Sequence, residues 1–155
     1  EIRSANGFAG EIGHVNVNGK YPCVCGKSGC LEAASSTLAI SKAYEGLSGK
    51  AGVTTAEIYE LVIAGDPVAQ QVWNDATSAM ARACEMLITI LAPEVIVFGG
   101  GLSNAGETFL KPIRNYLNTS LTFQRKPRLE IAHYKSKAGT IGCAMLAFDL
   151  VKAAK

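Results

Sequence analysis

The sequence predicts an α/β fold, and three observations carry that reading. Glu94-Val95-Ile96-Val97-Phe98 is almost continuously apolar and β-branched, the pattern of a strand covered on both faces as in a parallel sheet. The stretches on either side repeat their apolar residues at helical spacing. Strands separated by helices require crossover connections and a layered structure.

Taken in order, residues 13–18, Gly-His-Val-Asn-Val-Asn, alternate with period two and predict a short strand. A loop rich in Gly, Cys, Pro and Lys follows over residues 19–29. From Leu31 to about Tyr44 small and apolar residues recur at helical spacing, and residues 46–52 supply the break. Thr55 is the expected cap of a short helix through Ile63. Asp66-Pro67 starts the next helix, because the carboxylate accepts free amide protons and proline's fixed φ suits a first turn. The stripe Val68, Val72, Trp73, Ala76, Met80, Ala83, Leu87, Ile90 and Leu91 carries that helix to a stop at Pro93. After the apolar strand and Gly99-Gly100-Gly101, a helical region spans residues 105–121, with Pro112 opening its main part. Arg128 to Tyr134 alternate as a strand. Ala138 to Ala153 close the chain as a helix with Ile141, Ala144, Met145, Phe148 and Val151 inward. Gly139 and Gly142 are expected to allow close helix packing. Three strands make a thin sheet, which predicts that the first strands are missing upstream.

The chain's 155 residues, 48% hydrophobic and 18% charged, suit a single domain, 1–155, with a core that needs no staples. A formal net charge of only +2 disfavours direct DNA contact by this segment. No apolar run approaches the roughly 18 to 20 residues of a membrane span, so no membrane partner is expected. The opening Glu1-Ile2-Arg3 has neither an initiator methionine nor a signal-peptide profile, and predicts a piece of a longer chain.

Five cysteines are an odd number, and three of them crowd into residues 23–30. That pattern points to metal and a reducing, cytoplasmic compartment rather than a disulfide framework. His14, Cys23, Cys25 and Cys30 supply one imidazole and three thiolates, which fill the four tetrahedral positions of a structural Zn²⁺. Gly26 and Gly29 let the backbone fold tightly around the ion. Cys84 and Cys143, in apolar helical surroundings, are expected in the core.

Gly10-Glu11-Ile12-Gly13-His14 followed by Cys23-Val24-Cys25-Gly26-Lys27-Ser28-Gly29-Cys30-Leu31-Glu32 resembles the ROK family, which groups bacterial sugar kinases with sugar-responsive repressors. The resemblance extends through residues 93–101 and 138–144. It implies an actin-like, ribonuclease-H-like domain, the C-terminal lobe of a two-lobed protein about twice this length. It also implies that Glu11, His14 and Glu32 contact hydroxyls of a hexose or N-acetylhexosamine. The chemistry agrees: carboxylates accept hydrogen bonds from vicinal hydroxyls, and an imidazole holding metal through one nitrogen has the other free to be aimed. Spacing alone leaves Gly99, Gly100 and Gly101 either a tight strand-to-helix turn or a close approach to a nucleotide; the resemblance implies ATP, with Mg²⁺ in a full-length kinase. The family's catalytic Asn-Asp motif, which stands before the strand pair that opens this domain, and its first phosphate loop are not found in that context here, Asp75 of Asn74-Asp75 being a helical position, so no catalytic residue is assigned and the segment alone is expected to be inactive. The resemblance implies either an ATP-dependent hexose kinase of the glucokinase type or the effector domain of a transcriptional repressor. Its partners would be the N-terminal lobe and further copies in a homo-oligomer, a homodimer in the simplest case.

Overall fold

A computed structural model describes residues 7–17 and 21–153. The opening residues 1–6, the end of the first expected strand at Asn18, and residues 19–20 of the loop lie outside the described residues. The described elements are α1 (Leu31–Ser35), α2 (Thr37–Ser48), α3 (Thr55–Ile63), α4 (Pro67–Leu91), β1 (Val95–Phe98), α5 (Glu107–Ser120), β2 (Arg128–Ile131) and α6 (Ala138–Ala153).

The start signals act as local chemistry dictates. Ser36, in extended backbone, accepts the Ala39 amide and caps α2. That cap splits the single helix expected from Leu31: the Ser36 hydroxyl takes an amide of the next helix while Ser36 itself is extended. Past Gly46, α2 runs on to Gly49, whose φ of +71° makes the left-handed stop. Thr54, one residue before the expected cap, forms a reciprocal capping box with Glu57. Its two hydrogen bonds to the Glu57 carboxylate hold that group below the usual carboxylate range. Asp66 caps α4 by accepting the Ala69 amide at 2.8 Å, as expected.

Helix α4 is the spine. One face gives Trp73, Ala81, Cys84 and Ile88 to a core shared with Phe98 of β1 and with Phe109, Leu110, Ile113 and Leu117 of α5. Another face gives Ala69, Val72 and Ala76 to a cluster with Ile40, Tyr44 and Ile58. A third gives Ala79 and Ala83 to Val17 and Leu31, beneath the cysteine loop. Burial pushes the Cys84 thiol up to about 12, as befits an inert core cysteine.

Strands β1 and β2 pair in parallel, Val95 opposite Arg128 through Phe98 opposite Ile131, with α5 in the connection between them. Three expectations are corrected here. First, β1 is not covered on both faces: Phe98 is buried, but Val97 is 55% exposed. Second, residues 13–17 do not form a strand. A 3-10 turn occupies Ile12–His14, and pairing reduces to one antiparallel bridge, Asn16 with Cys30, because the partner segment bends away into a tight loop. Third, Pro112 lies inside α5 rather than at the opening of its main part. Proline cannot donate to the carbonyl four residues earlier, and the Trp73 indole supplies the missing donor to Thr108 O at 3.2 Å. β2 is also shorter than expected, ending at Ile131 before a turn in which Lys135 takes φ +45°.

The last helix departs furthest from expectation. Met145, Phe148 and Val151, expected inward, are 60%, 68% and 60% exposed, and Leu146 and Leu150 on other faces are exposed as well. Ala144 and Cys143 are exposed, and Ile141 is half-buried. A β-carbon at Gly139 or Gly142 would meet nothing within 4 Å, so neither glycine admits a close neighbour among the described residues. A helix apolar on every side has no single inward face; its first turn meets β1's end, where a β-carbon on Gly99 would lie 3.6 Å from Ala138 Cβ, and residues 143–153 are exposed.

Candidate metal centre and adjoining clefts

Backbone bonding folds the cysteine loop before any side chain is considered. The Val17 amide donates to Gly29 O at 2.8 Å and the Leu31 amide to Val15 O at 3.0 Å, tying both ends of the loop together. At its tip the Cys23 amide donates to Lys27 O at 2.8 Å and the Gly26 amide to Cys23 O at 3.0 Å. Gly26 and Gly29 take φ of +86° and +79°, a region where a side chain is strained.

The turn aims His14, Cys23, Cys25 and Cys30 at one point, with one ligand atom of each within 4.8 Å of all the others. Cys25 Sγ lies 3.6 Å from Cys30 Sγ, and Cys23 Sγ 3.6 Å from His14 Nδ1. A tetrahedral zinc with bonds of about 2.3 Å to sulfur and about 2.0 to 2.1 Å to nitrogen has ligand–ligand edges of roughly 3.6 to 3.8 Å. The donor set fits Zn²⁺, and these two pairs stand at the edge length such an ion requires. All four positions would be filled by protein, the arrangement of a structural rather than a catalytic ion. His14 sets Nδ1 against Cys23 Sγ, which leaves Nε2 for another partner.

The thiols are electrostatically unequal in the metal-free chain. A hydrogen bond from the Lys27 amide, helped by the Cys23 thiol, lowers Cys25 to about 7. Burial, reinforced by the neighbouring sulfurs, pushes Cys30 up to about 11. Metal binding must expel the Cys30 proton.

The expected sugar contacts gather at this loop. Glu11 immediately precedes the 3-10 turn, and its carbonyl accepts the His14 amide at 3.1 Å. Glu32, on α1, stands against the same turn: a β-carbon on Gly13 would lie 3.5 Å from Glu32 Oε2. Both carboxylates belong to exposed residues. A cleft of about 360 Å³ opens beside Glu32, bounded by Tyr21, Cys23, Ser36, Leu38 and Lys42. Lys27, unassigned from sequence, donates Nζ to His14 O at 3.1 Å and so clamps the tip of the loop onto the turn. Its position among the cysteines was the available signal.

The glycines form a different region. Gly100, at φ +87°, directs its amide to Lys135 O at 3.3 Å, and the Ser103 hydroxyl returns to Gly100 O at 2.6 Å. Gly101 borders a cleft of about 430 Å³ that also includes Thr37, Tyr59, Glu60, Trp73 and Asn104. Sequence periodicity identifies Trp73 as core but not as a wall of this cleft, because one indole serves both. Cys143 is exposed on α6, not buried as expected, for want of a partner to that helix among the described residues. No helix is long and apolar enough to cross a membrane among the described residues.

Comparison with known proteins places this geometry. The chain is 39% identical over 130 residues to a glucokinase of Halalkalibacterium halodurans, covering 74% of the chain and 39% of that protein. It is 29% identical over 167 aligned positions to a xylose repressor of Caldicellulosiruptor bescii, covering 97% of the chain and 42% of the repressor. The chain thus spans half or less of the length of these relatives. Among solved structures, the ROK hexokinase of Thermus thermophilus superposes with a TM-score of 0.80 at 30% identity, covering 98% of this chain and 51% of that one. A ROK glucokinase of Streptomyces griseus in complex with glucose and AMPPNP gives 0.77 at 28% identity, covering 90% and 51%. The α/β architecture described above is therefore shared with ROK sugar kinases. The family model for ROK matches residues 2–150, and the chain belongs to the ROK family.

Proposed function

We propose that this chain is the zinc-bearing C-terminal lobe, one domain over residues 1–155, of an ATP-dependent hexose kinase. The observation that carries the reading is the convergence of Glu11, His14 and Glu32 on the metal loop. In this reading Zn²⁺ binds His14 Nδ1 and the three thiolates and supplies rigidity, not reaction chemistry. His14 Nε2 and the Glu11 and Glu32 carboxylates meet vicinal hydroxyls of a hexose or N-acetylhexosamine, each carboxylate accepting a hydrogen bond. A nucleotide lies across Gly99, Gly100 and Gly101 at the end of β1, and the 430 Å³ cleft beside Gly101 gives it room. ATP with Mg²⁺ supplies the transferable phosphoryl group. The base that takes the sugar proton comes from elsewhere in the protein, since no aspartate here stands beside the three sugar contacts: Asp66 caps α4, and Asp75 and Asp149 lie within α4 and α6.

The N-terminal lobe is the proposed partner of α6. Five large apolar side chains stand exposed on that helix, and relatives about twice this length have chain to cover them. The first strands of the sheet belong beside β1 in the same reading. Homo-oligomers of the two-lobed protein and a reducing, cytoplasmic setting for three free thiolates complete it. The similarity to a xylose repressor over 97% of the chain favours one alternative, the effector domain of a sugar-responsive repressor.

Thermal shift of the zinc-loaded chain with hexoses and N-acetylhexosamines tests the sugar reading, because a ligand of the native state must raise Tm. A rise with at least one sugar, abolished in Glu11→Gln and Glu32→Gln, is expected. No rise with any sugar contradicts it. A further rise with ADP or AMPPNP supports the kinase, and none supports the repressor. Full-length protein should release ADP in a coupled assay, whereas operator binding without turnover would establish the repressor.

A further inference from the structure

We propose that Cys25 and Cys30 form an oxidisable dithiol whose closure expels the metal, making the loop a site of reversible modification by hydroperoxides. The proposal rests on the zinc reading of the loop, and it starts from an asymmetry of access. Cys25 is exposed at the turn, whereas Cys30 is 1% exposed beneath it. Their sulfurs are 3.6 Å apart, and a disulfide needs about 2.05 Å, so an approach of roughly 1.5 Å closes the bond. Gly26, next to Cys25, carries no β-carbon to oppose a change of backbone torsion as the two sulfurs approach. Cys23 Sγ also neighbours these sulfurs but stands 3.6 Å from His14 Nδ1, so a bridge to Cys23 is the competing outcome. Of the remaining cysteines, Cys84 is buried in the core and Cys143 lies on α6.

The chemistry balances with a hydroperoxide as two-electron oxidant. The Cys25 thiolate attacks the peroxide oxygen, the O–O bond breaks, and Cys25 sulfenic acid forms with release of hydroxide from hydrogen peroxide. The Cys30 thiolate then attacks the Cys25 sulfur, the S–O bond breaks, and a second hydroxide leaves as the S–S bond forms. The two sulfurs have each lost one electron and the peroxide has gained two. A disulfide is a poor ligand, so the ion keeps two of its four protein donors and is released. His14 loses the anchor that fixes its ring, and the turn between Glu11 and Glu32 loosens with it.

The test uses the Cys143→Ser chain loaded with zinc, so that the exposed thiol on α6 does not report. Hydrogen peroxide is added in stoichiometric steps with a chromogenic zinc indicator, and alkylated peptides are mapped by mass spectrometry. One zinc released per peroxide consumed, a Cys25–Cys30 bridge, and recovery on adding dithiothreitol and zinc are expected. With Cys30→Ser in the same background, a sulfenic acid trapped by dimedone should appear on Cys25. A bridge to Cys23, over-oxidation of Cys25 without a bridge, or thiols consumed with zinc retained would each overturn the proposal. Failure of the starting protein to hold zinc refutes the metal reading instead, and peroxide mapping of the metal-free chain then decides the dithiol separately.

Discussion

Replacing Trp73 by Phe tests how α5 tolerates an internal proline. Thr108 O has lost its helical donor to Pro112 and takes the Trp73 indole N–H at 3.2 Å in its place. Phe keeps an aromatic ring in the core but has no donor, which leaves a partly buried carbonyl unpaired at a cost of about 1 to 3 kcal/mol. The smaller ring also fills the core less completely, which adds about 1 kcal/mol, so W73F is expected to cost roughly 2 to 4 kcal/mol. Pro112→Ala returns an amide donor to Thr108 O, and in that background W73F should cost about 1 to 2 kcal/mol less. Urea denaturation of the four proteins of this cycle, followed by circular dichroism because Trp73 is the sole tryptophan, measures the coupling. A coupling below about 0.5 kcal/mol, the range of independent sites, would refute the indole's role as surrogate donor.

Two further outcomes are expected. Zinc affinity should rise with pH, since binding expels thiol protons. With Cys30 at about 11, its proton is expelled throughout the neutral range, whereas with Cys25 at about 7 its proton is expelled only below that value. A plot of log apparent affinity against pH should therefore steepen below about pH 7, and a flat or falling plot in a chelator competition series would contradict the unequal thiols. Asp66→Ala should destabilise the chain by about 1 kcal/mol through loss of the α4 cap, a fall in Tm of roughly 2 to 4 °C.

Much of the fold was legible because its signals are local. Asp66-Pro67 and the long apolar stripe placed α4, and the β-branched run placed β1 to within one residue. The four candidate metal ligands were legible from residue type and clustering alone, and the structure brings the same four side chains together. What the sequence concealed depends on contacts between distant segments. Period-two alternation at residues 13–17 resembles a strand, yet the pairing partner is a short loop that supports only one bridge. Pro112 reads as a helix start until Trp73, 39 positions earlier, is seen to repair the ladder. The burial of α6 was misread because apolar side chains on all sides of a helix state that it is to be covered, but not by what.

The most direct test of the account is X-ray absorption at the zinc edge on reduced chain with one equivalent of Zn²⁺. One ion per chain is expected in a shell of three sulfurs at about 2.3 Å and one imidazole nitrogen at about 2.0 to 2.1 Å. Its sulfur count should fall to two in Cys23→Ser or Cys25→Ser. A shell made only of oxygen and nitrogen, or failure to retain stoichiometric zinc through gel filtration, would contradict it.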